Sequence, residues 1–377
     1  MIYLDHQASA PMAEGVLDAM LPFLEGRYGN PHSDDHAAGW EASEAVERAR
    51  GQVAAAIGCE PDEIVFTSGA TEANNIALLG AASVLEDGPR RILVSAIEHK
   101  AVLAPARALA AHGHELVVVP VGPDGRIDMD MLDAEIARGA DLVSVGAVNN
   151  EIGTVQDLAA VAELAAGAGA LFHSDATQAL AWRGFDALSA GVDLASFSAH
   201  KMGGPKGIGA LYVARDARGR IAPIAHGGEQ EDGLRPGTLP TPSCVGFGEA
   251  CSRLPDPLGV AAWQAVTDRL EASLLGAFPA LRRNGSRGDR HPGNLSLTLP
   301  GLYAGVLVAR LQPDVAVARG SACTSGMPEP SHVLRAIGLG AEEAEATLRL
   351  STGPGTTADE VDEAVALIVA AVRDQGE

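Results

Sequence analysis

Short apolar runs rich in valine, isoleucine and leucine alternate along the chain with longer alanine-rich stretches. The runs predict strands over Glu63–Thr67, Ile92–Ala96, Leu116–Val119, Leu142–Val145, Ala170–Ser174, Leu194–Ser198 and Ile208–Val213. The stretches between them predict helices over Thr71–Leu85, Ala101–Ala111, Met129–Ala137 and Leu158–Ala168. A helix over Gly39–Ile57 precedes the first strand, with Trp40, Val46, Val53 and Ile57 at helical spacing. Continuous apolar strands separated by helices predict an α/β fold with a mainly parallel sheet covered on both faces. After Pro255-Asp256-Pro257 the pattern changes. A helix over Val260–Leu275, a strand over Asn294–Leu299, a helix over Tyr303–Leu311, a strand over Val315–Ala318 and a helix from Ala358 predict a smaller α+β unit, with the proline pair as its boundary.

Composition changes this picture little. With 377 residues, 47% hydrophobic and 20% charged, the chain is an ordinary globular one, too long for a single small core. Charge changes it more. A formal net charge of -22 repels nucleic acid and anionic membrane surfaces, so a bound phosphate must be held by local donors against the overall field. Cys59, Cys244, Cys251 and Cys323 form no C-x-x-C pair, so zinc-ligand spacing is missing and no metal is expected. The opening Met1-Ile-Tyr-Leu-Asp5 lacks the basic segment and apolar run of a signal peptide. The late apolar run Ala364–Val372 is about half a membrane span. A cytoplasmic protein with reduced thiols is expected.

Lysine usage points to chemistry. Only Lys100, Lys201 and Lys206 occur among 27 basic residues. Forming an imine with an aldehyde needs an amine that can lose its proton, which arginine effectively never does. Genomic bias with three chance survivors is the plain alternative. Four segments sharpen the choice. Thr67-Ser-Gly-Ala70-Thr71-Glu-Ala-Asn-Asn75 sits where a strand ends and a helix begins, and its free N–H groups suit an anion. It also reads as an ordinary capped turn, and it lacks the Gly-Lys-Ser/Thr of an ATP-binding loop. Asp175, in His173-Ser-Asp-Ala-Thr-Gln178, falls at the carboxyl end of a strand, where open α/β sheets place their ligand crevice. It could hold a proton on a ring nitrogen, or simply cap a helix. Ser198-Ala-His200-Lys201 follows another strand, so Lys201 reaches the same crevice, whereas Lys206 reads as part of a turn and Lys100 as a helix start. Cys323, in Arg319-Gly-Ser-Ala-Cys-Thr-Ser-Gly326, reads as an exposed loop thiol, unlike the other three cysteines, which read as buried and structural. Together the four segments supply a phosphate site, a ring-nitrogen carboxylate, an imine-forming lysine and a thiol, a set that suits pyridoxal phosphate.

At these residues the chain resembles the cysteine desulfurases of the NifS/IscS type, fold-type I pyridoxal-phosphate enzymes related to class V aminotransferases. The resemblance runs through Gly29-Asn-Pro31, Thr67-Ser-Gly-Ala-Thr71-Glu, Glu98-His99-Lys100, Val148-Asn-Asn150-Glu-Ile-Gly153, Asp175-Ala-Thr-Gln178, His200-Lys201, Gly237-Thr238 and Gly320-Ser-Ala-Cys323-Thr-Ser325. It implies a large domain over 13–255 with a mainly parallel seven-stranded sheet. A small α+β domain made of 1–12 and 256–377 would carry the Cys323 loop. It implies that Lys201 binds the aldehyde of pyridoxal 5′-phosphate, that Asp175 pairs with the pyridine nitrogen and Gln178 with the ring hydroxyl, and that His99 stacks on the ring and shuttles protons. Ala70, Thr71, Ser198 and His200 would hold the phosphate, with Thr238 reaching it from the second subunit of a homodimer. Asn150 and Arg349 would bind the carboxylate of L-cysteine, for which the planar arginine fork is suited. Cys323 would accept the sulfur as a persulfide, leaving alanine, and pass it to an acceptor such as an iron–sulfur scaffold or a thiolation enzyme. Another C–S lyase or an aminotransferase of the same fold is the alternative. The chain departs from the family at Asp232, where arginine is common, at Arg319, where a small serine is common, and in Asp5-His-Gln-Ala-Ser9.

Overall fold

The computed structural model of the chain describes residues 1–84, 88–320 and 330–374. Its elements begin with β1 (Ile2–Tyr3), α1 (Val16–Glu25) and α2 (Ala37–Ile57). An alternating series follows: β2 (Ile64–Thr67), α3 (Ala70–Ser83), β3 (Arg91–Ser95), α4 (Lys100–Ala111), β4 (Glu115–Val119), α5 (Met129–Ile136), β5 (Leu142–Ser144), α6 (Leu158–Gly167) and β6 (Leu171–Asp175). Short helices α7 (Leu180–Arg183) and α8 (Ala187–Ala190) lead to β7 (Leu194–Ser198), β8 (Gly209–Val213), α9 (Thr241–Cys251) and α10 (Pro257–Ala277). The remainder comprises β9 (Arg282–Arg283), β10 (Asn294–Thr298), α11 (Ala304–Arg310), β11 (Val315–Ala316), β12 (Ala318–Arg319), α12 (His332–Ala336), α13 (Ala341–Glu345), β13 (Thr347–Ser351) and α14 (Ala358–Arg373).

Seven strands form the central sheet in the order β2-β8-β7-β6-β5-β3-β4. Neighbours are parallel except around β8, which runs antiparallel to both β2 and β7. Side chains alternate between two apolar layers, as a pleated sheet covered on both faces requires. Phe66, Phe172 and Phe197 pack with residues of α2, α5, α6 and α9 on one face. Val65, Val94 and Leu211 pack under α3 and α4 on the other. Because β8 runs against its neighbours, Gly209 pairs with both Thr67 and Ser198. A Cβ at Gly209 would lie 2.3 Å from the Phe197 carbonyl oxygen and 2.6 Å from the Gly69 Cα, so only glycine lets the β2–α3 turn cross there.

A second, antiparallel sheet has the order β12-β13-β10-β9, and β1 pairs in parallel with β11. One apolar cluster joins Ile2 and Leu4 to Leu297, Leu348, Leu350 and side chains of α10 and α14. The single strand expected over Val315–Ala318 divides here, β11 pairing with β1 and β12 with β13. Several elements lie outside the expected ones, among them α1, α9 and β13. Helix α1 contains Pro22, and α9 begins at Thr241-Pro242 and contains two glycines, features that argue against helix locally. Strand β13 alternates as Thr347-Leu-Arg-Leu-Ser351, yet all five residues are buried, its polar side chains included.

Candidate active site

The carboxyl ends of β2, β3, β5, β6 and β7 meet at one edge of the central sheet. Turns leading out of them open a cavity of about 550 Å³. Ala70, Thr71, His99, Asn150, Asp175, Gln178, Ser198, His200 and Lys201 all line it. Arg349 reaches its wall from β13, while Thr238 is exposed and does not line it. Cys323 lies outside the described residues.

At one end stands the N-terminus of α3. Gly69, at φ 146°, precedes it, and no side chain caps its first N–H groups. The 14-residue helix brings its positive end there, beside Ser198 and His200. Burial holds His200 down at about 4, helped by the charges of Lys201 and Lys206, so its ring is neutral at physiological pH. Lys206 also lines this end of the cavity from its turn, a contribution the turn reading of the sequence did not assign.

At the other end is a floor of buried polar groups. Asp175 accepts from Asn74 Nδ2 at 2.8 Å and from the Thr177 backbone N–H at 3.1 Å. Asn74 itself is completely buried in the Ala- and Leu-rich face of α3. A buried amide on such a face needs a partner, and that is the signal by which sequence reading could have assigned it a role. His173 lies on the same strand, its ring between Ser144 Oγ at 2.8 Å and Ser196 Oγ at 3.1 Å, and burial lowers it to about 4.

Lys201 donates to the carbonyl oxygens of Gln7 at 2.7 Å and Ala8 at 2.9 Å. Burial and the neighbouring Arg349 charge lower its pKa to about 8, against the opposing pull of Asp175 and Asp5. The amine therefore spends an appreciable fraction of its time unprotonated near neutral pH. His99 caps α4, its Nδ1 accepting from the Ala101 N–H at 3.1 Å. That bond puts the proton of the neutral ring on Nε2, and burial and Lys201 favour the neutral form. Gln178 is buried, its amide donating to the Gln7 carbonyl at 3.1 Å. The departing segment Asp5–Ser9 is thus part of the site.

Arg349 is 5% exposed and forms a 2.6 Å ion pair with Asp5, and its second terminal nitrogen donates to the Asn150 carbonyl at 3.2 Å. Its Nε has no partner among the described residues. A buried guanidinium with an unused donor is placed to receive a carboxylate. The other cysteines differ sharply from such groups. Burial pushes Cys59 and Cys244 up to about 12 and raises Cys251 as well, so none of them is a thiolate. Among the described residues no cluster of three or more His, Cys, Asp or Glu could hold a metal, and no helix is long and apolar enough to cross a membrane.

The donor set fits pyridoxal phosphate: open N–H groups at a helix start, an amine that sheds its proton, and a carboxylate fixed by two donors. Comparison with known proteins agrees. The family model "Aminotransferase class-V" matches residues 2–364. The chain is 42% identical over 369 residues to "Cysteine desulfurase IscS" of Rickettsia bellii (strain OSU 85-389), covering 97% of this chain and 90% of that one. A solved structure named "NIFS-LIKE PROTEIN" superposes with a TM-score of 0.90 at 32% identity, covering 99% of both chains. Another, "SspA in complex with cysteine", superposes with a TM-score of 0.84 at 34% identity, covering 95% of this chain and all of that one.

Proposed function

The chain belongs to the aminotransferase class-V family and is a pyridoxal-phosphate-dependent cysteine desulfurase, and we propose that Lys201, Asp175, His99 and Cys323 carry its chemistry on L-cysteine. The observation that carries this reading is the lowered amine of Lys201 in one cavity with Asp175 and His99. When bound, pyridoxal phosphate supplies an aldehyde for a primary amine and a conjugated ring that takes up the electron pair of a broken bond at the substrate α-carbon. Ala70, Thr71, Ser198 and His200 at the α3 start would hold its phosphate. Asp175, held in place by Asn74, would face its ring nitrogen. Gln178 would face its ring hydroxyl, which requires the amide to share or exchange the Gln7 carbonyl.

Arg349 and Asn150 orient the substrate carboxylate. Lys201, once free, accepts the α-carbon proton, and its pKa near neutrality suits a group that must both take and return protons. His99 presents Nε2–H into the cavity and relays protons there. The Cys323 thiolate attacks the substrate sulfur. An S–S bond forms as the C–S bond breaks, and one proton delivered to the β-carbon with the other returned to the α-carbon releases alanine.

A homodimer goes with this reading. Thr238 is exposed, and Tyr28 and Trp40 stand 89% and 58% exposed on the same molecule, which suits burial against a second copy. The division into a domain over 13–255 and one over 1–12 with 256–377 is supported by the separate apolar clusters. The persulfide passes to an acceptor protein, an iron–sulfur scaffold or a thiolation enzyme, and the charge of -22 favours an acceptor with a basic face. The setting is cytoplasmic, where thiols stay reduced.

Incubation of the loaded enzyme with L-cysteine tests the reading. Alanine and a persulfide on Cys323 are expected. Pyruvate with ammonia, or unchanged sulfide release by Cys323→Ala, would assign a lyase instead.

A further inference from the structure

Of the cavity-wall carboxyls without a task in the reading above, Glu72 pairs with Arg235 at 3.0 Å, which leaves Glu98. It is 3% exposed, on the turn between β3 and α4. Its Oε1 accepts the Gly146 backbone N–H at 2.7 Å. The next peptide along, Ala147, donates its N–H to the Asp175 carbonyl at 3.0 Å. Successive residues after β5 therefore fasten Glu98 and Asp175 side by side. The packing between them is tight: a Cβ at Gly146 would lie 3.1 Å from Glu98 Oε2 and 3.6 Å from the Asp175 carbonyl oxygen.

The two carboxyls are served unequally. Asp175 has two donors, whereas Glu98 has one, and its Oε2 is buried with no partner among the described residues. A carboxylate oxygen left bare in a dry site costs about 1–3 kcal/mol, and two adjacent anions there repel. A carboxylic acid lowers both costs, because a neutral oxygen is cheaper to bury bare than an anionic one and only one negative charge remains. A purely structural glutamate would use both oxygens.

We infer that Glu98 is a positioning residue that works as a neutral acid, keeping the floor at a single negative charge so that Asp175 alone faces the cofactor ring. This rests on the reading of Asp175 as the ring-nitrogen partner. Burial and the Asp175 charge support it by raising Glu98 to about 8. The titratable and charged groups around it are Asp175 and His173 on β6, Lys201 after β7, its own neighbours His99 and Lys100, and His332 of α12, whose Nε2 meets the Glu98 carbonyl at 2.9 Å. Above its pKa the second anion forms beside Asp175, and function falls.

Glu98→Gln tests this, since glutamine keeps the acceptor for Gly146 and a donor at the second position but cannot ionise. In the cofactor-loaded enzyme, an infrared band of a protonated carboxyl is expected at pH 7. It should bleach as pH rises through about 8 and be missing from the variant. The kcat/KM of the wild type should carry an alkaline limb of about tenfold per pH unit that Glu98→Gln lacks. Cofactor affinity, read by absorbance titration, should stay within about twofold for Glu98→Gln and fall about tenfold for Glu98→Ala, which strands the Gly146 N–H. A wild type with no protonated-carboxyl band at pH 7, or an unchanged alkaline limb in Glu98→Gln, would overturn the inference. Should Glu98→Gln not fold, Asp175→Asn decides: the band must then bleach at lower pH, and an unmoved band sinks the idea. Absent alanine formation would strike the desulfurase reading, whereas the infrared titration reports on Glu98 without turnover.

Discussion

The two ends of the cavity act by different physics. At the α3 end, beside a neutral His200 and the turn lysine Lys206, the main donors are backbone N–H groups and small residues, fixed by the crossing of the β2–α3 turn over Gly209. Their strength comes from geometry and barely depends on pH. At the floor, Lys201, Glu98 and His173 are side chains whose protonation is set by burial and by their charged neighbours. One end needs only the right backbone path. The other needs the whole domain to be folded before any of its groups has its working charge.

The largest break in that contrast is Lys201→Ala. It should abolish covalent cofactor attachment and lower kcat by at least about 10⁴-fold, read by alanine formation and by mass after borohydride reduction. Next comes Arg349→Lys, which keeps the charge but loses the planar fork shared between Asp5, the Asn150 carbonyl and the substrate. A fall of about 10²-fold in kcat/KM, mostly through KM, is expected from steady-state kinetics. Asn74→Ala removes a donor to Asp175 and should weaken cofactor affinity about tenfold. At the opposite end Thr71→Ala should cost only about threefold in the same titration, with no change across pH, because the backbone donors remain.

The smallest effect sharpens the comparison through stability. From pH 4.5 to about 8 the native chain keeps the Glu98 proton that the unfolded chain has lost, so rising pH destabilises the fold. From about 8 to 10.5 the unfolded chain keeps the Lys201 proton that the native cofactor-free protein has lost, so rising pH stabilises it. Each limb is limited to about 1.4 kcal/mol per pH unit. Denaturant melts of the cofactor-free protein should show Glu98→Gln losing the first limb and Lys201→Met losing the second. Equal slopes in all three proteins would mean that burial does not set these charges.

Much of this was readable before any coordinates. The central strands stood within a residue or two of their places, since continuous Val, Ile and Leu runs leave little choice of element. Lys201 and Asp175 were marked by residue type at strand ends. Arg349 enters by resemblance alone, because the alternation Thr-Leu-Arg-Leu-Ser of β13 points to a strand but not to what its arginine meets across the fold. Asn74, Gln7 and Glu98 lie inside recognisable motifs or the departing segment, yet their roles are contacts between segments far apart in sequence, which no local pattern shows.

By itself the sequence determined which chemistry was on offer: a lysine kept among arginines, a carboxylate at a strand end, a small-residue turn before a helix. These follow from local pattern and from what each side chain can do. The tertiary structure alone decided the charge each group carries and the partner it meets. Desolvation and hydrogen bonding are properties of a site, and the site here exists only where five strand ends, β13 and the N-terminal segment come together.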